Sequence, residues 1–101
     1  MRSGEMIYVG ICDDEQCILK LLKRKVVRCL EKEGEVYQLM LFYDGNQVIQ
    51  QAEKLDVLFL NIGLEEMDGI EVGDVVYRKN PSCKIIMATA LTNRMREAFH
   101  I

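Results

Sequence analysis

Asp56-Val57-Leu58-Phe59-Leu60-Asn61 is the most hydrophobic stretch of the chain, four apolar residues held between an acid and an amide. A short apolar run without alternation predicts a strand covered on both faces of a parallel sheet, since a half-exposed strand would alternate and a buried helix would be longer. The run ends on a polar residue. Residues 6–12 (Met-Ile-Tyr-Val-Gly-Ile-Cys) repeat the pattern and end on Asp13-Asp14-Glu15, and residues 84–89 (Lys-Ile-Ile-Met-Ala-Thr) repeat it again. Residues 36–43, rich in aromatic and aliphatic side chains, predict a further strand closed by the turn or cap Asp44-Gly45.

Helical patterns fill the intervals. From residue 15 to about 33, Ile18, Leu22, Val26, Cys29 and Leu30 recur at three- and four-residue spacing, with Leu19 and Leu21 widening the stripe. Gly34 supplies the stop. Val48, Ile49 and Ala52 mark a short second helix. Residues 69–79 carry Ile70, Val72, Val75 and Val76 in a helical rhythm, capped by Asp68 and closed by Asn80-Pro81. Residues 93–99 read as the start of a fourth helix. Strands alternating with helices predict an α/β fold, an open parallel sheet built from right-handed crossovers.

Composition bounds the function. The chain has 101 residues, half of them hydrophobic and 29% charged, which is one globular domain rather than two or a disordered segment. Its 16 acidic and 13 basic residues run along the whole chain, so no basic face for nucleic acid is expected of this segment. The longest uncharged run, the nine residues 85–93, is far short of the roughly 18 a membrane span needs. Residues 1–5 lack the apolar core of a signal peptide, so they are expected to be a flexible extension of a cytoplasmic domain over 6–101. Cys12, Cys17, Cys29 and Cys83 form no CxxC pair and have only His100 as a metal-ligating neighbour in composition. They are expected to be reduced thiols in the core, with Met40 and Met87 as core filler and no zinc site. Ser82 and His100 carry no triad signature.

In open α/β sheets, ligands bind beyond the carboxyl ends of the strands. There the chain delivers Asp13 and Asp14, then Asn61, then Thr89. Two carboxylates with amide and carbonyl oxygens suit a hard divalent cation such as magnesium. The competing reading is that Asp13, Asp14 and Glu15 merely cap the first helix and complement its dipole. A magnesium-dependent phosphatase using the same edge would need a nucleophile or general base, and Asn61 stands where the best-placed one would be.

Taken together, Asp13-Asp14-Glu15 after the first strand, the run 56–61, the loop reaching Met67-Asp68-Gly69-Ile70-Glu71-Val72 and Ile85-Ile86-Met87-Ala88-Thr89-Ala90 resemble the receiver domains of bacterial two-component response regulators. Phe42-Tyr43-Asp44-Gly45 and Arg96-Glu97-Ala98-Phe99 look most like receivers that precede a LytTR-type DNA-binding domain. The resemblance implies a flavodoxin-like sheet of order 2-1-3-4-5, a histidine kinase as phosphodonor, and an aspartate ending the third strand as acceptor. It also implies magnesium held by Asp13 and Asp14 with the backbone carbonyl of Gly63, and Thr89 as the hydroxyl that turns toward the phosphate.

Two departures bear on that picture. The acceptor position is Asn61, whose neutral amide is not a nucleophile toward phosphorus, so phosphorylation at the usual site is not expected and magnesium binding should survive only weakened. Asp68 is the next carboxylate in that loop, but its place at a helix start makes it a cap rather than a substitute acceptor, and Glu65 and Glu66 read as a solvated tip. Asn61 is either the native residue of a pseudo-receiver or an engineered replacement of aspartate. The second departure is that residue 101 precedes any fifth strand, so the family's lysine and last helix are missing and the expected order is 2-1-3-4. The fourth strand would then be an apolar edge prone to homodimerisation.

Overall fold

The computed structural model describes residues 5–61, 63–64 and 67–87. Thr89, Glu65, Glu66, His100 and the expected helix at 93–99 lie outside the described residues. Along the chain run β1 (Ile7–Cys12), α1 (Gln16–Lys32), β2 (Tyr37–Phe42), α2 (Gly45–Gln51), a 3-10 turn (Ala52–Lys54), β3 (Val57–Leu60), α3 (Gly69–Lys79) and β4 (Lys84–Met87). All strand pairs are parallel and the sheet order is β2-β1-β3-β4. This is the flavodoxin-like arrangement expected from the sequence, with four strands described.

The order puts helices on both faces. Ile7, Val9 and Ile11 of β1 pack against Ile18, Leu19, Leu22 and Val26 of α1, while Cys12, Leu58 and Leu60 pack with Val48, Val72 and Val76 of α2 and α3. Two cores separated by one sheet explain why the strands read as continuous apolar runs rather than alternating ones. Gly45 opens α2 where it meets α3, and a Cβ there would sit 2.5 Å from Val72 Cγ2, so only glycine fits this crossing. Gly34, at φ 70°, turns the chain out of α1 as the stop signal predicted.

Two polar side chains stitch the layers. The Asp56 carboxylate accepts from the Tyr8 N–H at 2.9 Å while the Tyr8 carbonyl accepts from the Asp56 N–H, fixing the register in which β3 enters beside β1. The Asn80 amide donates to the carbonyls of Ala52 and Leu55 at 3.0 and 2.8 Å and accepts from the Ser82 N–H at 3.2 Å. The residue that ends α3 thus also holds the turn leading into β3. Asn80→Ala leaves two part-buried carbonyls unsatisfied and should lower the unfolding free energy by about 2 kcal/mol, read as a lower urea midpoint at unchanged slope.

Several expectations are corrected. Cys12 and Cys83 are buried, but Cys17 and Cys29 are exposed, and all four thiols are free. The reason lies in α1: its buried stripe is the narrow set Ile18, Leu19, Leu22 and Val26, which leaves Leu21 and Cys29 outside it. β3 is not covered on both faces, because Leu58 and Leu60 are buried whereas Val57 and Phe59, facing α1, are half-buried. Met40 is half-buried against the α2–α3 core, but Met87 on β4 is exposed and so is only partly core filler. The basic residues are not evenly spread either: six of the 13 lie on α1, beside a single acid, Glu31.

Candidate functional site

The site forms where the ladder runs past the strand ends. The Asp13 N–H donates to the Phe42 carbonyl and the Asn61 N–H donates to the Cys12 carbonyl, both at 3.1 Å, so the residues after β1 and β3 stay in register beyond the sheet. Asp13 and Asn61 are thereby brought side by side. They are the buried polar residues of the described chain, 1% and 7% exposed.

Each side chain is held on more than one side. One Asp13 carboxylate oxygen accepts from the Glu15 N–H at 2.8 Å. The Asn61 carbonyl oxygen Oδ1 accepts from the Gly63 N–H at 3.1 Å, and the Asn61 side chain lies beside the Asp13 carboxylate. Burial pushes the Asp13 carboxyl above the usual carboxylate range, the Glu15 N–H pulls it back, Asp14 raises it again by repulsion, and the Asn61 amide lowers it. The neutral Asn61 amide thus stands beside a buried carboxylate without placing a second negative charge against it. Cys12, just behind, is held as a neutral thiol, pushed up to about 12 by burial and by Asp13, Asp44 and Asp14.

The helix-cap reading of the acidic trio does not describe this geometry. Glu15 is the residue preceding α1 and makes no side-chain cap bond, the first turn of α1 holds no acid, and Asp13 bonds the N–H of Glu15 itself rather than one inside the helix. The turn directs Asp13 to the pocket. Asp14 is half-buried beside it and Gly63 is exposed, joined to Asn61 through its N–H. Four of the five residues singled out from the sequence, Asp13, Asp14, Asn61 and Gly63, thus share one edge; Thr89 lies outside the described residues. Asp44, whose charge reaches Cys12 from the end of β2, is an acidic neighbour that sequence reading assigned only to a cap; it does cap α2, accepting from the Gln47 N–H at 2.9 Å. Asp68 is likewise a cap, accepting from the Ile70 N–H at 2.9 Å.

A divalent cation would find a partial set of oxygens here. Among the described residues no three His, Cys, Asp or Glu side chains converge as a metal site. Two carboxylates and a nearby backbone can still hold a cation that keeps several waters, as magnesium does. Among the described residues no helix is long and apolar enough to cross a membrane.

Comparison with known proteins is uniform in direction. The profile of the response regulator receiver domain matches residues 9–100. A protein-glutamate methylesterase/protein-glutamine glutaminase of Azospirillum brasilense is 33% identical over 94 residues, 91% of this chain and 23% of that protein. The alkaline phosphatase synthesis transcriptional regulatory protein PhoP of Bacillus subtilis is 33% identical over 82 residues, 79% of this chain and 32% of that protein. Such relatives are several times longer than the stretch they share with this chain. Among solved structures, the response regulator TrrA of Thermotoga maritima, in complex with Mg2+ and beryllofluoride, superposes with TM-score 0.69 at 27% identity, covering 93% of this chain and 77% of that one. A CheY-like receiver from Methanospirillum hungatei has TM-score 0.68 at 23% identity, covering 94% and 73%.

Proposed function

Because the chain belongs to the response regulator receiver domain family, we propose that it is a two-component signalling receiver that does not accept a phosphoryl group at Asn61 and acts through protein-protein contact. The observation that carries this reading is the place of Asn61: beside Asp13 at the end of β3, its side-chain oxygen accepting from the Gly63 N–H. In this reading Asn61 occupies the acceptor position, Asp13 and Asp14 with the Gly63 carbonyl are the cation ligands, and Thr89 is the switch hydroxyl. An amide nitrogen lone pair is delocalised and its oxygen is neutral, so no acyl phosphate forms there. A bound magnesium ion would supply charge neutralisation for an incoming phosphoryl group. The chain's own residues bind and orient: Glu15 N–H fixes Asp13, Gly63 N–H fixes Asn61, and the amide links β1 to β3.

The domain is not catalytic in this reading, and any activity of a longer protein would belong to other domains. Its partners would be a histidine kinase or another receiver-type protein, with a homodimer as a further contact; this segment would bind neither nucleic acid nor membrane and would reside in the cytoplasm. Magnesium would bind weakly. Fluorine NMR with magnesium and beryllofluoride tests the site, since TrrA takes that phosphoryl mimic. The native chain should give only the free-fluoride signals, and a bound resonance would overturn the proposal.

A further inference from the structure

β2 stands at the opposite edge of the sheet from β4 and, among the described residues, pairs only with β1. The Val36 carbonyl accepts from the Ile7 N–H at 2.9 Å and the Phe42 carbonyl accepts from the Asp13 N–H at 3.1 Å, so the even-numbered residues turn their backbone groups toward β1. In a parallel ladder the residues between them turn theirs the other way. Tyr37, Leu39 and Leu41 therefore present N–H and C=O outward along the edge. The outward donors just beyond them are already used: the Glu35 N–H donates to the Leu30 carbonyl at 3.0 Å and the Tyr43 N–H donates to Gln47 Oε1 at 2.8 Å. The open edge thus lies within β2, with Leu39 at its centre.

Its side chains invite pairing. Tyr37–Phe42 reads Tyr-Gln-Leu-Met-Leu-Phe, without a charge or a proline, the devices that usually keep an exposed edge from meeting another strand. Tyr37, Leu39 and Leu41 pack on the α1 core and are only half-buried by it. Met40 is half-buried on the other face, in a groove of about 570 Å³ lined by Phe42, Gln47, Gln50, Gln51 and Lys54. Both faces of the strand keep apolar surface that neither helix layer covers.

We propose that β2 pairs with β2 of a second copy of this chain, antiparallel about a two-fold axis at Leu39, joining the two sheets into one. This rests on the reading that the chain acts through protein-protein contact, and it gives the homodimer named there its surface. The outward backbone groups set the register: Leu39 stands opposite Leu39, and Tyr37 opposite Leu41 of the second copy, each pair exchanging two N–H···O=C bonds. Opposed residues share a face, so Leu39 packs on itself and Tyr37 on Leu41 over the α1 side, while Gln38 meets Met40 over the α2 side. A one-residue slip would set outward groups against inward ones. The contact is isologous and closes at two copies. A foreign strand could form the same backbone bonds, but this stretch already matches its own reversal, apolar against apolar.

The test is sedimentation of the chain over a rising concentration series, with amide hydrogen exchange followed by NMR. The chain should form a dimer, and the amides of Tyr37, Leu39 and Leu41 should become slow to exchange in step with it, while those of Gln38 and Met40, turned to β1, stay slow throughout. Leu39→Pro removes the central outward donor and leaves the β1 ladder in place, so it should weaken the dimer at least about tenfold. Gln38→Lys, at an exposed position that spares the fold, should weaken it as well by setting a charge against Met40 of the second copy. Circular dichroism checks that the variants stay folded, and Gln38→Lys carries the test if Leu39→Pro does not. A dimer that leaves the Tyr37, Leu39 and Leu41 amides fast, or that survives Gln38→Lys and a folded Leu39→Pro unchanged, would overturn this surface while leaving a homodimer in place. A chain that stays monomeric at its highest soluble concentration would overturn the homodimer and its surface together, the edge then being open to a foreign strand, and would leave the reading of Asn61 untouched.

Discussion

Asn61→Asp should convert the pocket from inert to phosphoryl-accepting. The substitution changes one group and leaves its placement intact, because the ladder bond from the Asn61 N–H to the Cys12 carbonyl and the turn bond from the Gly63 N–H are both available to aspartate. A carboxylate at that point is a nucleophile, and magnesium held by Asp13 and Asp14 would neutralise the approaching phosphate. With acetyl phosphate and magnesium, the variant should gain about 80 Da, the mass of one phosphoryl group, on the peptide containing residue 61, and hydroxylamine should remove it. The gain is close to all or none, since it depends on whether a nucleophile is present. No adduct on a folded Asn61→Asp chain would show that the scaffold itself has lost the chemistry.

Magnesium affinity should rank with the charge beside Asp13. The Asn61 side chain beside Asp13 favours its carboxylate, so a cation competes with the amide for Asp13 and gains only two anionic ligands. Asn61→Asp removes that competitor and adds a third carboxylate, and calorimetric titration should show magnesium binding at least about tenfold tighter. Asn61→Ala separates the two contributions. It can neither ligate nor compete for Asp13, so its affinity should equal or exceed that of the unaltered chain; a tenfold loss would mean that Asn61 Oδ1 is itself a ligand and that the amide is not the obstacle. No heat with any of the three at millimolar magnesium would remove the cation from the account.

The fold was legible because its signals are local and redundant. The runs at 6–12 and 56–61 have no alternation, as expected of strands in a sheet with helices on both faces even though one face of β3 is only half-buried, and Gly34, Asp68 and Asn80-Pro81 punctuate the helices where the structure ends or begins them. What the sequence could not show depended on which neighbour covers a surface. Cys29 and Leu21 fit a helical stripe by spacing, but the buried arc of α1 is narrower than that stripe and leaves both exposed. Phe59 looked like a residue of a fully enclosed strand and is half-buried for the same reason.

The site was legible as a set of positions and not as a set of bonds. The strand ends named Asp13, Asp14 and Asn61 through the topology of the sheet alone. That the Asn61 oxygen accepts from the Gly63 N–H while the side chain lies beside Asp13 needed coordinates, because an amide can point either end at either neighbour. The buried Asp13 carboxylate is met on one side by the Glu15 N–H and on another by the Asn61 side chain.

The most direct measurement is therefore intact-mass analysis of the native chain and Asn61→Asp side by side, with acetyl phosphate and magnesium and with released phosphate followed in parallel. The native chain should keep its mass and release no phosphate above the buffer rate while the variant gains about 80 Da. A stable adduct on the native chain, or sustained phosphate release by it, would contradict a receiver whose acceptor position is closed by an amide.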